Sequence, residues 1–324
     1  MTVMYRTKWV LLAMEIGLSS LLLTACGNDG HVSVTTRITK LKFADPALRE
    51  CVLQQAAAER WETAGHMTEL RCSNPQVAKI KDITGLHNLV NLQSLNLAHN
   101  EISDIHLVDS LPRLVRLDLG YNQIELLPLD RLRVTLKRLN LHHNSIEDIS
   151  PLASLRHLQH LSISHNRVKA IDSLAKLTDL VSLNVRNNEI RSIEALASIS
   201  SLEEVDLSGN QIEDLSPLQN LSQLTNIFVA DNSVHDLRPL ENLPRLEQLD
   251  LANNDLSDIG SLQRIASIRI LNLSGNRITS AGPLEFLGEI ESLEIAGNPL
   301  PCSELRKLSR VLGADVIENT CKKE

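Results

Sequence analysis

Aliphatic residues along this chain return in a fixed rhythm. An asparagine recurs every 22 residues, at Asn100, Asn122, Asn144, Asn166, Asn188, Asn210, Asn232, Asn254, Asn276 and Asn298, and the same apolar positions surround each one. Leu95 and Leu97 precede Asn100 and Ile102 follows it; Leu117, Leu119 and Ile124 stand likewise around Asn122, and Leu249, Leu251 and Leu256 around Asn254. Leu95 and Leu97 alternate with Asn96 and Ala98, the period-two pattern of a short strand buried on one face. Repeats of this length stack as a solenoid, so the pattern predicts a parallel sheet of short strands, one per coil. Each asparagine stands where the chain leaves its strand, placed to satisfy backbone groups buried between coils. Ile102, Ile105 and Leu111 fill the return path, which is short enough to hold only 3₁₀ or irregular segments.

A coil cannot bury its aliphatic face alone, so both ends need covers. Asp45-Pro46 reads as a helix start, with an acid at the N-cap and proline in the first turn. Leu48, Cys51, Val52 and Ala56 form the stripe of that helix. Thr68 to Cys72 reads as an edge strand, and Ile80 and Ile83 are in register with Ile102 and Ile105. After Asn298, Leu305, Leu308 and Val311 are expected along one side of a short helix closed by Gly313.

The frame L-x-x-L-x-L-x-x-N-x-I resembles the bacterial leucine-rich repeat family, in the 22-residue subclass of the internalins. The resemblance implies an α/β solenoid: a horseshoe with a parallel concave sheet, a 3₁₀ or irregular convex side, and N- and C-terminal caps. The expected organisation is a cap over 37–88, ten repeats over 89–298 and a second cap over 299–324.

The start of the chain carries an address. Arg6 and Lys8 precede an apolar run from Trp9 to Leu23 that ends in Leu23-Thr24-Ala25-Cys26. That ending resembles a bacterial lipoprotein signal, with 1–25 removed, Cys26 lipidated and 26–36 a polar tether. Glu15 interrupts the run, which is too short to span a bilayer, where roughly 20 apolar residues are needed. Met14, just before Glu15, is an alternative start. Gly27 after the cysteine resembles lipoproteins sorted to the outer membrane, so a lipid-anchored place in the bacterial envelope is expected. Besides Cys26, the cysteines are Cys51 and Cys72 in the first cap and Cys302 and Cys321 in the second. Ten strands at about 4.8 Å separate the caps by roughly 45 Å, whereas bridged Cα atoms lie within about 7 Å. Cys51 is therefore expected to pair with Cys72 and Cys302 with Cys321, as suits an oxidising compartment.

Charge and motifs narrow the function. The net charge of −8 becomes −9 once residues 1–25, with two basic residues and one acidic, are removed, and nucleic acid is disfavoured. No phosphate loop, nucleophile elbow or zinc-protease motif occurs, and no cofactor or enzymatic activity is expected. His142, His143, His160 and His165 gather on adjacent coils, but no convergent third ligand or carboxylate accompanies them, so no metal is assigned. The expected function is recognition of a protein partner through the concave face by a monomeric scaffold. Arg116, Asp118, Tyr121, Arg138, Asn140, His142, His160, Asn184, Arg186, Asp206, Phe228 and Asp250 are its candidate contacts. Basic residues Arg116, Lys137, Arg138 and Arg186 mark coils two to five, while Glu203, Glu204, Asp206, Asp231, Glu247 and Asp250 mark coils six to eight. A structural, glycan- or peptidoglycan-binding role is the alternative. Against it, the chain holds three Phe, two Tyr and two Trp, and only Tyr121 and Phe228 fall on the strand face.

Overall fold

The computed structural model describes residues 33–73, 78–129, 132, 135–313 and the backbone of 317–318. The signal, Cys26, most of the tether and Cys321 lie outside the described residues. One sheet of twelve strands, paired in sequence order, runs along the solenoid. Its strands are β1 (Glu69–Arg71), β2 (Ser94–Asn96), β3 (Arg116–Asp118), β4 (Arg138–Asn140), β5 (His160–Ser162), β6 (Ser182–Asn184), β7 (Glu204–Asp206), β8 (Asn226–Phe228), β9 (Gln248–Asp250), β10 (Ile270–Asn272), β11 (Ser292–Glu294) and β12 (Ile317–Glu318). All pairs are parallel and unslipped, so Leu95, Leu117, Leu139 and Leu161 form one continuous row. Coils are numbered from β2. Short 3₁₀ turns such as His106–Ser110 and Asp172–Lys176 make up the return side. The result is a leucine-rich repeat horseshoe.

The asparagine ladder does what its position requires. Asn122 Nδ2 donates to the carbonyls of Leu119 at 3.0 Å in its own coil and Leu97 at 3.0 Å in the preceding one. Its Oδ1 accepts the N–H of Ile102 at 3.0 Å. One side chain thus binds two coils through both of its polar ends, where water cannot replace it. The ladder reaches into the first cap, for Asn100 Nδ2 donates to Cys72 O and Asn100 Oδ1 accepts from Ile80 N.

In the first cap, α1 (Pro46–Ala58) buries Leu48, Val52 and Ala56. Asp45 caps it and does more: Oδ1 accepts from Ala47 N and Leu48 N, while Oδ2 accepts from Lys81 N and Asp82 N. Burial pushes this carboxyl up, yet the four backbone N–H groups prevail and hold it below the ordinary value. From α1, Gln55 covers the sheet edge, accepting from Arg71 N at 2.8 Å and donating to Glu69 O at 3.2 Å. An edge that could recruit another strand is thereby occupied. Cys51 and Cys72 are bridged, with Cα atoms 5.8 Å apart. The cap begins upstream of residue 37, since Val34 O and Thr36 O accept the N–H groups of Gly65 and Ala64.

The second cap differs from expectation at one residue and adds one strand. In α2 (Cys302–Leu312), Leu305 and Leu308 are buried but Val311 is 52% exposed, and Leu312 packs on the core instead. The cause is helical phase: at about 100° per residue, position 312 returns to the face of 305 while 311 lies far round the cylinder. Gly313, at φ 101°, ends the helix. Beyond it, β12 adds to the sheet beside β11. Cys302 is disulfide-bonded; Cys321, its expected partner, lies outside the described residues. Among the described residues no helix is long and apolar enough to cross a membrane.

Candidate protein-binding face

The strict register sorts outward side chains into columns. At the first strand position, Arg116, Arg138 and His160 are neighbours on β3, β4 and β5, followed by Ser182 and Glu204. At the third, Asp118, Asn140, Ser162, Asn184, Asp206, Phe228 and Asp250 follow one another. The middle strand positions are the buried leucines and their like. A shallow groove of about 450 Å³ runs over β1 to β7 between these columns, with Arg116, Arg138, Asn140 and His160 in its wall. The candidate residues are therefore brought onto one face, except that Arg186, His142 and Tyr121 stand just past the strand ends.

The third column has a structural duty that alternation alone did not reveal. Each Asn or Asp there turns its Oδ1 back to accept the N–H two residues on: Asp118 from Gly120, Asn140 from His142, Asn184 from Arg186, Asp206 from Ser208 and Asp250 from Ala252. These Asx turns steer the chain out of its strand. The column's polarity is thus partly a folding requirement, with the remaining acceptor capacity facing the groove. Phe228 forgoes that turn and stands half-buried among polar neighbours. Ile270, 41% exposed on β10, adds a second apolar group to the acidic half of the sheet.

Much of the charge on this face is unpaired. Among the described residues Arg116, Arg138 and Arg186 make no ion pair, nor do Glu203, Glu204, Asp206 or Asp250; Arg71–Glu69 is paired at the β1 end of the groove, and salt bridges such as Arg238–Asp236 and Arg264–Glu241 lie elsewhere. Burial pushes the Asp250 carboxyl up, and Asp206 and Asp231 add to this while Arg186 and the Ala252 N–H oppose it. Burial and Arg138 together hold His160 below the ordinary imidazole value, against Glu204 and Glu203.

The histidines divide into two groups. His160 belongs to the arginine column, whereas His143 and His165 join His99 and Tyr121 in a separate row immediately before the ladder asparagines. Ring centroids there are 4.3, 4.2 and 3.9 Å apart, with planes within 15° of parallel. His142 meets Tyr121 edge-on and hydrogen-bonds Asn140 Oδ1 at 2.5 Å. Gly120 makes room for it, since a Cβ at that position would collide with the His142 ring. Parallel rings aim their lone pairs in parallel, which cannot converge on one ion. Among the described residues no group of three His, Cys, Asp or Glu side chains is placed to hold a metal.

Models of leucine-rich repeats match 156–198, 178–220 and 222–278, and a model of the leucine-rich repeat domain of endo-β-N-acetylglucosaminidase EndoS matches 43–166. No curated protein matches the chain. Among solved structures, an internalin (inlF) from Listeria monocytogenes is similar over 86% of this chain and 89% of its own length, with 30% identity and a TM-score of 0.70. The chain belongs to the internalin-like leucine-rich repeat proteins. A second Listeria protein, internalin C2, is 27% identical over 75% of this chain and 98% of its own, with a TM-score of 0.60. The functional domain of Listeria InlJ shares the fold at 23% identity and a TM-score of 0.71, covering 82% of this chain and 57% of that one.

As an internalin-like repeat protein, the molecule is a scaffold for protein interaction, and its open sheet is the surface such solenoids use. The residue missed by sequence reading is His99, together with the stacking role of Tyr121. The signal was present: both occupy the position just before a ladder asparagine, the same phase as His143 and His165.

Proposed function

We propose that the protein is an envelope-anchored scaffold that holds a protein partner against its concave sheet. One observation carries this: Arg116 and Arg138 lie side by side on β3 and β4, unpaired among the described residues, while Glu204, Asp206 and Asp250 crowd the far half of the same face. Placing like charges on adjacent strands without counter-ions has no folding benefit. It does orient a partner of opposite polarity, accelerating encounter and fixing register. Phe228, which gives up the Asx turn of its column, supplies an apolar anchor within the acidic half, between Asp206 and Asp250. The sparse aromatic content supports a protein over a glycan as the ligand.

Anchoring rests on Leu23-Thr24-Ala25-Cys26, which supports lipidation at Cys26, and Gly27 after the cysteine supports an outer-membrane address. The test is crosslinking on intact cells with the wild type and with the Arg116→Glu/Arg138→Glu protein. A specific partner should be recovered with the first and lost with the second. Equal recovery with both, combined with loss on changing convex residues, overturns the concave-face reading. Cys26→Ala should shift the protein from the detergent phase to the aqueous phase; unchanged partitioning overturns the anchor.

A further inference from the structure

The row His99, Tyr121, His143 and His165 occupies one equivalent backbone position in four consecutive coils. All four stand in the left-handed region, at φ 61°, 54°, 52° and 54°. In later coils the same position holds residues that tolerate it: Asn187, Gly209, Asp231, Asn253, Gly275 and Gly297. Histidine joins asparagine and aspartate among the residues that enter this region most readily, so only Tyr121 is out of place there; four consecutive coils nonetheless fill the position with rings that align. An unbroken stack of rings at successive equivalent positions, placed on the rim of the sheet, is the observation that calls for a use.

Stacking decides what kind of ligand the row suits. The inner ring faces are spent on one another, and Asn187 closes one end, its Nδ2 3.1 Å from His165 Nε2. What faces solvent is ring edges, which carry the positive part of the aromatic quadrupole, together with imidazole nitrogens. His99 is exposed, Tyr121 is 42% exposed, and His143 and His165 are half-buried. Edges and N–H groups in file favour carboxylates, while the faces between coils are closed to stacking by a sugar ring. We propose that this row is a docking rail for an acidic polypeptide segment, and that its grip strengthens as the imidazoles take up protons.

The inference deepens the protein-scaffold reading and rests on it. Charged and titratable groups that face the row are few. Lys79 Nζ donates to His99 O at 2.6 Å, Asp118 acts on His142, and Arg186 follows on the next coil after His165. The imidazoles otherwise face each other. Burial holds His143 below the ordinary value, and His165, His142 and His99 add their repulsion. Neighbouring imidazoliums repel; a partner's carboxylates remove that repulsion, so binding and proton uptake reinforce each other. The rail lies along the rim of a concave sheet, which a short polypeptide can follow and a flat bilayer cannot.

The probe is fluorescent poly-aspartate, titrated into the full-length protein in detergent at about pH 6 and about pH 7.5, at constant ionic strength, conditions that bracket ordinary histidine titration. The wild type should bind about tenfold more tightly at the lower pH. His99→Asn/His143→Asn/His165→Asn should fold, because Asn187 and Asn253 already adopt this backbone conformation; it should lose the acid gain, binding no more tightly at the lower pH than at the higher. Arg116→Glu/Arg138→Glu should weaken binding at both pH values and keep the tenfold ratio. No acid gain in the wild type, or an equal gain in the triple asparagine variant, overturns the rail. An Arg116→Glu/Arg138→Glu protein that binds like the wild type overturns the concave-face reading instead. Acid-dependent binding to phosphatidylglycerol vesicles but not to poly-aspartate also overturns the polypeptide assignment.

Discussion

The side-chain amide of Asn188 donates across 3.1 Å to the carbonyl of Ile163, 25 residues earlier in the chain. The same side chain donates to Val185 O and accepts from Val168 N, and it is buried. Asn188→Ala therefore strands the Val168 N–H and removes one of two donors from each carbonyl, since Ile163 O keeps Asn166 Nδ2 and Val185 O keeps Asn210 Nδ2. The expected cost is about 1–3 kcal/mol, the scale for one buried group left unmet. In a stacked array the damage is local, so hydrogen exchange should show lost protection in coils four and five before the ends. Unchanged protection there would mean that the ladder is dispensable.

Acid should loosen the fold through its histidines. His142, His143 and His160 are each held below the ordinary value of 6.5, chiefly by burial. The folded state then binds fewer protons than the unfolded one, so stability rises with pH across this range. The contribution is present above pH 6.5 and is lost as pH falls through that value to the lowered folded-state values. Thermal unfolding should show a falling midpoint in this window, with a smaller fall in His142→Asn/His143→Asn. An identical slope in that variant would place the proton uptake elsewhere.

How much of this was legible follows from periodicity. The ladder, the leucine rows and the 3₁₀ returns repeat every coil, so each repeat vouches for the others. The ring row was only half visible. His143 and His165 drew attention as histidines, but strict strand alternation grouped them with His160, when the backbone has already turned left-handed at His99, Tyr121, His143 and His165. The Asx role of Asp118 and Asn140 was hidden for the same reason, since alternation reports which face a side chain is on and not what it bonds. Val311 was misplaced by phase within one short helix. Strand β12 follows Gly313, outside any repeat, and no pattern announces it.

The first cap should depend on its bridge. Cys51 and Cys72 are 21 residues apart and join α1 to the sheet edge. Replacing both by alanine should cost about 3 kcal/mol, the scale for a loop of this size. Because Gln55 still covers β1, the cap should fray rather than detach. Proteolysis should first cut within residues 33–91 under reducing conditions, and equal resistance with and without reductant would count against a stabilising bridge.

Asp250 is a place where binding and stability should trade against each other. Its carboxylate is pushed up by burial and by Asp206 and Asp231, while Oδ1 still accepts the Ala252 N–H at 3.0 Å. A carboxyl raised in the folded state destabilises it as pH rises through the ordinary 3.8 and beyond. Asp250→Asn keeps the Asx acceptor and removes the buried charge. Its unfolding midpoint at neutral pH should rise, while affinity for a basic partner surface falls. A lower midpoint would show that the charge itself is structurally required.

Phe228 gives the sharpest test of where a partner sits. Neighbours in its column turn an Asn or Asp oxygen onto the following N–H, so phenylalanine sacrifices a local bond and puts a ring beside Asp206 and Asp250. A ring ringed by polar groups is the usual anatomy of an interface anchor. Phe228→Ala should weaken partner binding by about 2 kcal/mol or more, mainly through faster dissociation. Phe228→Asn restores the turn chemistry and should match or exceed wild-type stability while losing the same affinity. Arg138→Glu should act differently, slowing association, with the effect shrinking as salt is raised. Surface plasmon resonance against the crosslinked partner separates the two. If Phe228→Asn binds as tightly as the wild type, the ring merely covers the sheet, and the docking site lies on the arginine half alone.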